Sequence, residues 1–556
     1  MTPNLIIIKI FLALNVITIK SITMNLRPSG ISLAAFACLA LAAASSVQAQ
    51  TWNNTGTNWS SATSWTANNV PDTNTEKAVF GSFGAAPLNP NVDANYTIQG
   101  ITFNSTAYNY TFGGTGTLII DANTNSVTNT IQLNGNQTFN VNVTATNSAG
   151  ANGQRWVIGT TGGTMNFAAG TTLNVTTAAL TIQATGGATG VFNFYGLVNA
   201  GSFGVTHQGG GTAVYFRSTS QLNGTYTNSL GDTFFETGNL GASQLSMIGS
   251  LAGDASFYIS NSGVSISNNI RIGNTNLTAN NRTVGVDITG SGTGTWSGTV
   301  DVAQNSGIAP ARTVKLTAGA SDRANFTGRI ISTSTTTLGV QIGGGGTVSF
   351  SNTGNSYNVA TTVVAGTLLL ASNGSAGSAT GGSDLTVNGT LGGAGRIAPT
   401  GTNNVSVASG GAVAPGDGGI GALEINLGST TGSASFLSGA TFTFDLNAPG
   451  TSDVLSFTGL NASGGEIAFN GNTVNFNNLG GLAAGTYTLF TFDAATDYTG
   501  TLVVGSGLGG LSGSFVYNSN SIQLSVVPEP STAALAVGSL IGLFWLRRKK
   551  SRVLSL

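Results

Sequence analysis

Gly346-Thr347-Val348-Ser349-Phe350, the turn Asn355-Ser356-Tyr357, Thr361-Thr362-Val363-Val364-Ala365 and Gly366-Thr367-Leu368-Leu369-Leu370 follow one another within residues 343–372. The opening returns as Gly389-Thr390-Leu391 and again as Gly411-Ala412-Val413. The steps between the four leading glycines are 20, 23 and 22 residues. A nearly fixed step of that size is one coil of a parallel β-solenoid. Successive coils stack about 4.8 Å apart, and glycine at each corner supplies the positive φ of a tight turn. Equivalent apolar residues then become vertical neighbours. The spacing predicts that Val348, Leu368, Leu391 and Val413 face inward, one above another. Asn at turns can stack into amide ladders.

The same pattern extends outward from this stretch. Between about 92 and 430, short runs rich in Val, Ile, Leu, Phe and Thr alternate with Gly/Asn/Ser turns, as in Tyr96 to Phe103, Gly116 to Ile120, Gly163 to Phe167 and Val191 to Phe194. Residues 50–91 carry Trp52, Trp59 and Trp65. A solenoid must cover its first coil, so these indoles read as an N-terminal cap; the alternative is a platform on which sugars stack. After Pro415-Gly416-Asp417-Gly418-Gly419 the strands alternate strictly, as in Thr441-Phe442-Thr443-Phe444 and Thr486-Tyr487-Thr488-Leu489. Period two argues half-buried antiparallel strands. The expectation over 431–527 is a β-sandwich-like cap, or terminal coils with hairpins, shielding the last sheet edge.

Residues 343–372 resemble the autotransporter-associated β-strand repeat: a Gly-Thr-led strand, a turn with an aromatic, then a second strand ending in Gly366-Thr367-Leu368. The Trp-rich opening is similar to that of secreted autotransporter-like repeat proteins. The resemblance implies an all-β, right-handed parallel β-helix passenger. The chain departs from that family at its C-terminal end, where a different tail stands in place of a translocator barrel, so self-secretion through a barrel is not expected.

That tail, residues 528–556, begins with Pro528, Glu529 and Pro530, runs apolar from Ala533 to Leu546, and then carries Arg547, Arg548, Lys549 and Lys550. Residues 531–546 hold no charge, so a helix there costs little in lipid. Its length, roughly 24 Å, is slightly short of the ~30 Å hydrocarbon core. A single C-terminal membrane helix is expected, with Trp545 at the interface and the four cations on the cytoplasmic side. The order of parts resembles the PEP-CTERM sorting signal. That resemblance implies recognition by an exosortase-type membrane protease and removal near Pro528-Glu529-Pro530. A plain single-pass anchor is the other reading.

The N-terminal residues 1–49 read as a leader. A complete secretory signal lies within 24–49: Arg27, an apolar centre from Ile31 to Ala44, and small exit residues. Export machinery and signal peptidase are the implied partners, with cleavage between Ala49 and Gln50. The simplest account starts translation at Met24; the alternative is one long leader. Cys38, the single cysteine, lies in this segment and fits a lipoprotein site poorly. The body after it therefore has no thiol chemistry and no disulfide framework.

Charged residues make up only 7% of the 556 residues, against ~25% in ordinary domains. Without leader and tail, ten basic residues face eighteen acidic ones, a net charge of −8. That balance and the absence of a basic stripe exclude nucleic acid as a partner. His207 is the only histidine; a turn or surface role is expected, since one histidine without cysteine makes no usual zinc site. Acids four apart, Asp72/Glu76, Asp232/Glu236 and Asp493/Asp497, stand ~13 Å apart on a strand, wider than a glycosidase pair. Asp417 in its glycine loop lacks the repeated Asp of a calcium-binding nonapeptide. No catalytic residue, metal or cofactor is predicted. The expected function is an exported, non-enzymatic structural or adhesive protein of the cell surface or extracellular matrix, with envelope or matrix polysaccharide as a possible ligand. The alternative is a polysaccharide-binding or polysaccharide-degrading β-helix, which an acidic cluster beside Arg271 or Arg282 with Asp287 would favour.

Overall fold

The computed structural model describes residues 47–550 except 84–85, 107, 125, 151, 186, 242, 250–252, 275–279, 305–312, 334–338, 353, 372–377, 379, 429, 461–466, 494–497 and 530–531. The expected signal core, with Arg27 and Cys38, lies outside the described residues. The body is all-β and forms a parallel solenoid of about 16 turns. Gln48–Thr51 lies parallel on Glu76–Phe80, which lies on Gly100–Phe103. Parallel pairing carries through to Leu502–Val504.

Coils of two kinds make up the stack. In the earlier ones the strands run on through the corners. Leu197–Phe216 is 20 residues long and rests on three separate strands, Thr172–Val175, Leu180–Ala184 and Gly190–Phe194. Its successor Gln221–Phe235 lies over it with several register shifts. In the later coils the strands are short and the corners sharp. Thr347–Phe350, Thr367–Leu370 and Thr390–Gly393 each have four residues and belong to a separate ten-stranded sheet that runs from Ser265–Ile266 to Leu502–Val504.

Side chains inside the solenoid stack in columns because parallel registry puts like positions over one another. Val348 pairs with Leu368, Leu368 with Leu391, and Leu391 with Val413. All four are fully buried, as the glycine spacing predicts, and the column continues into Phe442 and Val474. The earlier coils have a larger counterpart. Phe112, Phe139, Phe167, Phe194, Phe216 and Phe235 stack ring on ring at 4.8, 5.4, 5.2, 5.6 and 5.4 Å. Each such pair adds about 0.5–1.5 kcal/mol beyond the area it buries. Above Phe235 the column tapers through Ile259 and Val286 to Ala318.

The repeated glycines serve a different purpose from the one the spacing suggests. Of the four, Gly366 alone takes a positive φ, +69°. The others are required by close approach. A Cβ on Gly389 would lie 2.6 Å from the carbonyl oxygen of Gly366, and one on Gly411 2.5 Å from that of Val387. The corner glycine lets one coil settle on the backbone of the coil below.

The first coil is closed by indoles. Trp52, Trp59 and Trp65 are buried, with Trp52 and Trp59 5.0 and 4.8 Å from Trp65. Burial removes them as a sugar platform. At the other end, over 431–527, the β-sandwich-like cap does not form, and the alternative, terminal coils with a hairpin, does. Thr441–Leu446, Val454–Thr458 and Asn472–Asn478 are further parallel rungs. They alternate because a solenoid strand is covered on its inner face only, so period two marks one-sided burial rather than antiparallel pairing. Apart from isolated bridges, antiparallel pairing among the described strands enters at the last hairpin. Ser521–Pro528 runs antiparallel on Gly485–Phe492, and Leu511–Asn518 antiparallel on Ser521–Pro528.

Candidate functional site: an outer-face ladder and the tail

Each inward Phe has an outward neighbour, and these outward residues also align. One column reads Thr138, Asn166, Asn193, Tyr215, Phe234, Tyr258 and Gly285. Its lower part is an amide ladder: Asn193 Nδ2 donates to Asn166 Oδ1 at 2.8 Å, and Asn166 Nδ2 to Thr138 Oγ1 at 3.4 Å. Its upper part is aromatic. Tyr215 stacks on Phe234 at 4.6 Å and Phe234 on Tyr258 at 5.5 Å. All three rings are half-buried, so their edges form the outer surface.

Arg217 joins the two parts. Its Nε and Nη2 donate to Asn193 Oδ1 at 2.8 and 2.6 Å, and its Nη1 to Glu236 at 2.5 Å. Its guanidinium lies 4.1 Å from the Tyr215 ring centre and 5.9 Å from that of the exposed Tyr195. Asp232 precedes Phe234 by two residues on its strand, and Glu236 stands just past the strand's end at Phe235. Burial raises the Tyr258 hydroxyl pKa, and the nearby Asp232 and Asp287 carboxylates add to the rise. The result is an apolar strip edged by carboxylates, amides and one guanidinium. It offers stacking, van der Waals contact and hydrogen bonds.

The residues singled out for chemistry are placed as follows. His207 is fully buried within Leu197–Phe216, against the expected turn or surface role. Burial depresses its pKa to about 3, with the Thr212 and Gly209 backbone opposing, so it is a neutral core imidazole. The strand runs through the corner there, which is why a Gly-rich sequence still goes inward. Glu76 caps its own turn, accepting from the Asp72 and Thr73 amides, Thr73 Oγ1 and Asn69 Nδ2. Burial pushes its carboxyl upward, and these bonds outweigh it to leave the pKa lowered. Asp493 accepts from the Gly459 and Leu460 amides; Asp497 lies outside the described residues. Asp417 makes a two-point ion pair with Arg323, 3.2 and 2.8 Å. Arg282 turns inward, donating to the Gly253 and Asn281 carbonyls at 2.8 and 3.0 Å, and burial lowers its pKa. No ion pair joins it or Arg271 to the exposed Asp287 among the described residues.

Two further carboxylate pairs come together, Asp287 with Asp322 across neighbouring coils and Asp445 with Asp453 across a turn within one. A Cβ on Gly319 would lie 2.6 Å from Asp322 Oδ2 and 3.5 Å from Asp287 Oδ1. Asp322 is buried and accepts from the Ile288 and Gly292 amides, both at 2.9 Å. Asp453, also buried, accepts from the Gly421 amide at 2.7 Å and the Asp445 amide at 2.8 Å. Burial pushes the Asp453 carboxyl up to about 7, the two amides oppose this, and the Asp445 charge adds to it. In both pairs one carboxylate is committed to holding a loop. Among the described residues no group of three or more His, Cys, Asp or Glu could hold a metal ion.

The sorting residues lie at the two ends. Ala49, exposed, and Gln50, buried, sit in Gln48–Thr51. Pro528 ends its strand, Glu529 is exposed, and Pro530 lies outside the described residues. Thr532–Lys550 is an α-helix with Leu540, Ile541, Leu543 and Phe544 exposed. Arg547 and Arg548 are exposed on it; Lys549 and Lys550 end it, and their side chains lie outside the described residues. No helix among the described residues is long and apolar enough to cross a membrane, which corrects the expected membrane-spanning helix. The cations fall inside the helix rather than after it. Its uncharged part, 532–546, is therefore roughly 22 Å long, well under the ~30 Å core.

No family model matches the chain, and no curated protein matches it.

Proposed function

We propose that this is an exported, non-enzymatic β-solenoid of the cell surface or extracellular matrix, structural or adhesive in role. In this reading the leader 24–49 passes it to the export machinery, signal peptidase cuts between Ala49 and Gln50, and the solenoid is right-handed as in the repeats it resembles. The tail is a sorting signal. Its helix is too short to span lipid unaided, which suits a transient membrane hold through Arg547, Arg548, Lys549 and Lys550, ended by an exosortase-type protease near Pro528-Glu529-Pro530. The observation that carries the reading is the use of the acids. Glu76, Asp322, Asp453 and Asp493 each take backbone amides, so the carboxylates staple coils and loops of a rod.

The outer aromatic strip favours a second reading beside the first, a binding face for polysaccharide. Tyr215, Phe234 and Tyr258 with Arg217 suit the apolar edge and hydroxyls of a sugar chain. A glycan array tests both. The rod reading with an adhesive face expects retention of some glycans, lost on Tyr215→Ala/Tyr258→Ala, and no cleavage. Cleavage that disappears on substitution of Asp287, Asp322, Asp445 or Asp453 would overturn the non-enzymatic reading. For the tail, replacing the four cations by Ser is expected to impair membrane retention and tail removal; unchanged processing would count against it.

A further inference from the structure

The hairpin that ends the solenoid leaves one strand with an open side. The terminal sheet runs Arg396–Ile397, Ala422–Asn426, Val454–Thr458, Gly485–Phe492, Ser521–Pro528 and last Leu511–Asn518. That last strand pairs with Ser521–Pro528 along all eight residues, closed by the two-residue turn Ser519-Asn520. In an antiparallel ladder beside such a turn, alternate residues bond to the partner and the others point away. Asn518, Val516 and Ser514 bond inward, which leaves the backbone N–H and C=O of Tyr517, Phe515 and Gly513 on the open side.

Edge strands are ordinarily blunted by charge, proline, bulges or a covering element. Among the described residues no charge, proline or bulge interrupts Leu511–Asn518. Residues 498–528 contain no Asp, Glu, Lys, Arg or His. The pairing has no register shift. Ser514 is exposed, as are Val516 at 41% and Tyr517 at 41%. The strand is also held firmly in place: Tyr517 Oη accepts from the Leu502 amide at 2.9 Å, and Tyr498 Oη donates to the Asn518 carbonyl at 3.3 Å. Phe515, Leu508 and Leu511 pack against the core beneath it.

We propose that Leu511–Asn518 is a self-association edge, which pairs antiparallel with the same strand of a second copy about a two-fold axis. Two features select this occupant. An uncharged strand meets its own copy without like-charge repulsion, and antiparallel pairing of one strand with itself is closed by symmetry. Other strands that end a sheet among the described residues are shorter: Gln48–Thr51 has four residues, Leu502–Val504 three, and Ser265–Ile266 and Arg396–Ile397 two each, against eight here. Joined copies would continue the terminal sheet across the axis by strand addition. The proposal is independent of the sorting role given to the tail.

Sedimentation of the full chain tests it, in detergent micelles that keep the tail helix dispersed. The expected result is a concentration-dependent dimer that Ser514→Lys/Val516→Lys weakens at least tenfold, with an unchanged melting curve. A second arm uses Ser514→Cys and Val516→Cys in a Cys38→Ser chain, where mild oxidation should give a disulfide-linked dimer through one or both positions. A wild-type monomer throughout the concentration range, a dimer untouched by the two lysines, open-ended fibres in place of dimers, or no cross-link at either cysteine would overturn the proposal.

Discussion

The coils before about residue 260 and those after about 340 solve one packing problem in two ways. The earlier coils carry strands through their corners and fill the interior with a six-membered Phe stack. The later coils break at the corners and fill the column with Val and Leu as far as Val413, before Phe442 and other rings return near the end. A ring needs more room than a Leu and tolerates register shifts, because stacked faces can slide. An aliphatic column needs close vertical registry, and the corner glycine provides it by admitting the backbone below. Stability in the first region therefore rests on a few large side chains. In the second it rests on repeated small fits.

The largest expected effect is in the aliphatic column. Leu368→Asp puts an unpaired carboxylate between Val348 and Leu391. The charged form costs several kcal/mol, roughly 3–5, or the group stays protonated with a raised pKa. Because coils depend on their neighbours, protease cuts and hydrogen exchange should spread to the adjacent rungs. A parent-like melting curve would break the distinction drawn above. Phe167→Ala comes next, about 3 kcal/mol. It is expected to stay more local, since the rings on either side can close part of the gap.

The two regions should also differ in their response to pH. His207 in the early coils has a folded pKa lowered to about 3, below its unfolded value of ~6.5. Its contribution is therefore intact above ~6.5 and lost as pH falls from there towards 3. Asp453 in the late coils has a folded pKa raised to about 7, above its unfolded ~3.9. Its contribution is present below ~4 and lost as pH rises towards 7. Between pH 4 and 6.5 the two slopes oppose each other. His207→Gln should flatten acid sensitivity in the early coils and Asp453→Ala the neutral-side loss in the late ones, each by about 1–3 kcal/mol across its window. Region-resolved hydrogen exchange at pH 4, 5.5 and 8 reads both. The smallest effect is expected for Arg323→Ala. Its bond to Asp417 is partly exposed, so its loss should cost no more than about 1 kcal/mol and be masked by salt.

The later coils were legible in the sequence because sharp corners punctuate it. Glycines 20–23 residues apart placed Val348, Leu368, Leu391 and Val413 in their column. The Phe stack went unread, although Phe112, Phe139, Phe167, Phe194, Phe216 and Phe235 are spaced by 27, 28, 27, 22 and 19 residues. The early corners do carry glycines, such as Gly135, Gly163, Gly201 and Gly224, but they lie inside continuous strands and register shifts blur their period. A sharper signal was the adjacent pair Tyr215-Phe216 repeated as Phe234-Phe235, where one ring must face in and the other out. The Asp287/Asp322 pair was illegible in principle, since the two meet only through the coil stacking. Alternation after 431 was read as antiparallel because it reports one-sided burial and says nothing of strand direction.

The bonds between coils are short in sequence. Asn193 reaches back 27 residues to Asn166, and Asn477 32 residues to Asp445. Only nearby chain is needed to complete a rung. A chain that enters a compartment end-first can therefore fold as it arrives, one coil upon another, starting on the indole-closed first turn. The Arg323–Asp417 pair reaches much further, spanning 94 residues. It cannot form until the coils between its partners are in place, so it registers the completion of that stretch rather than helping to start it.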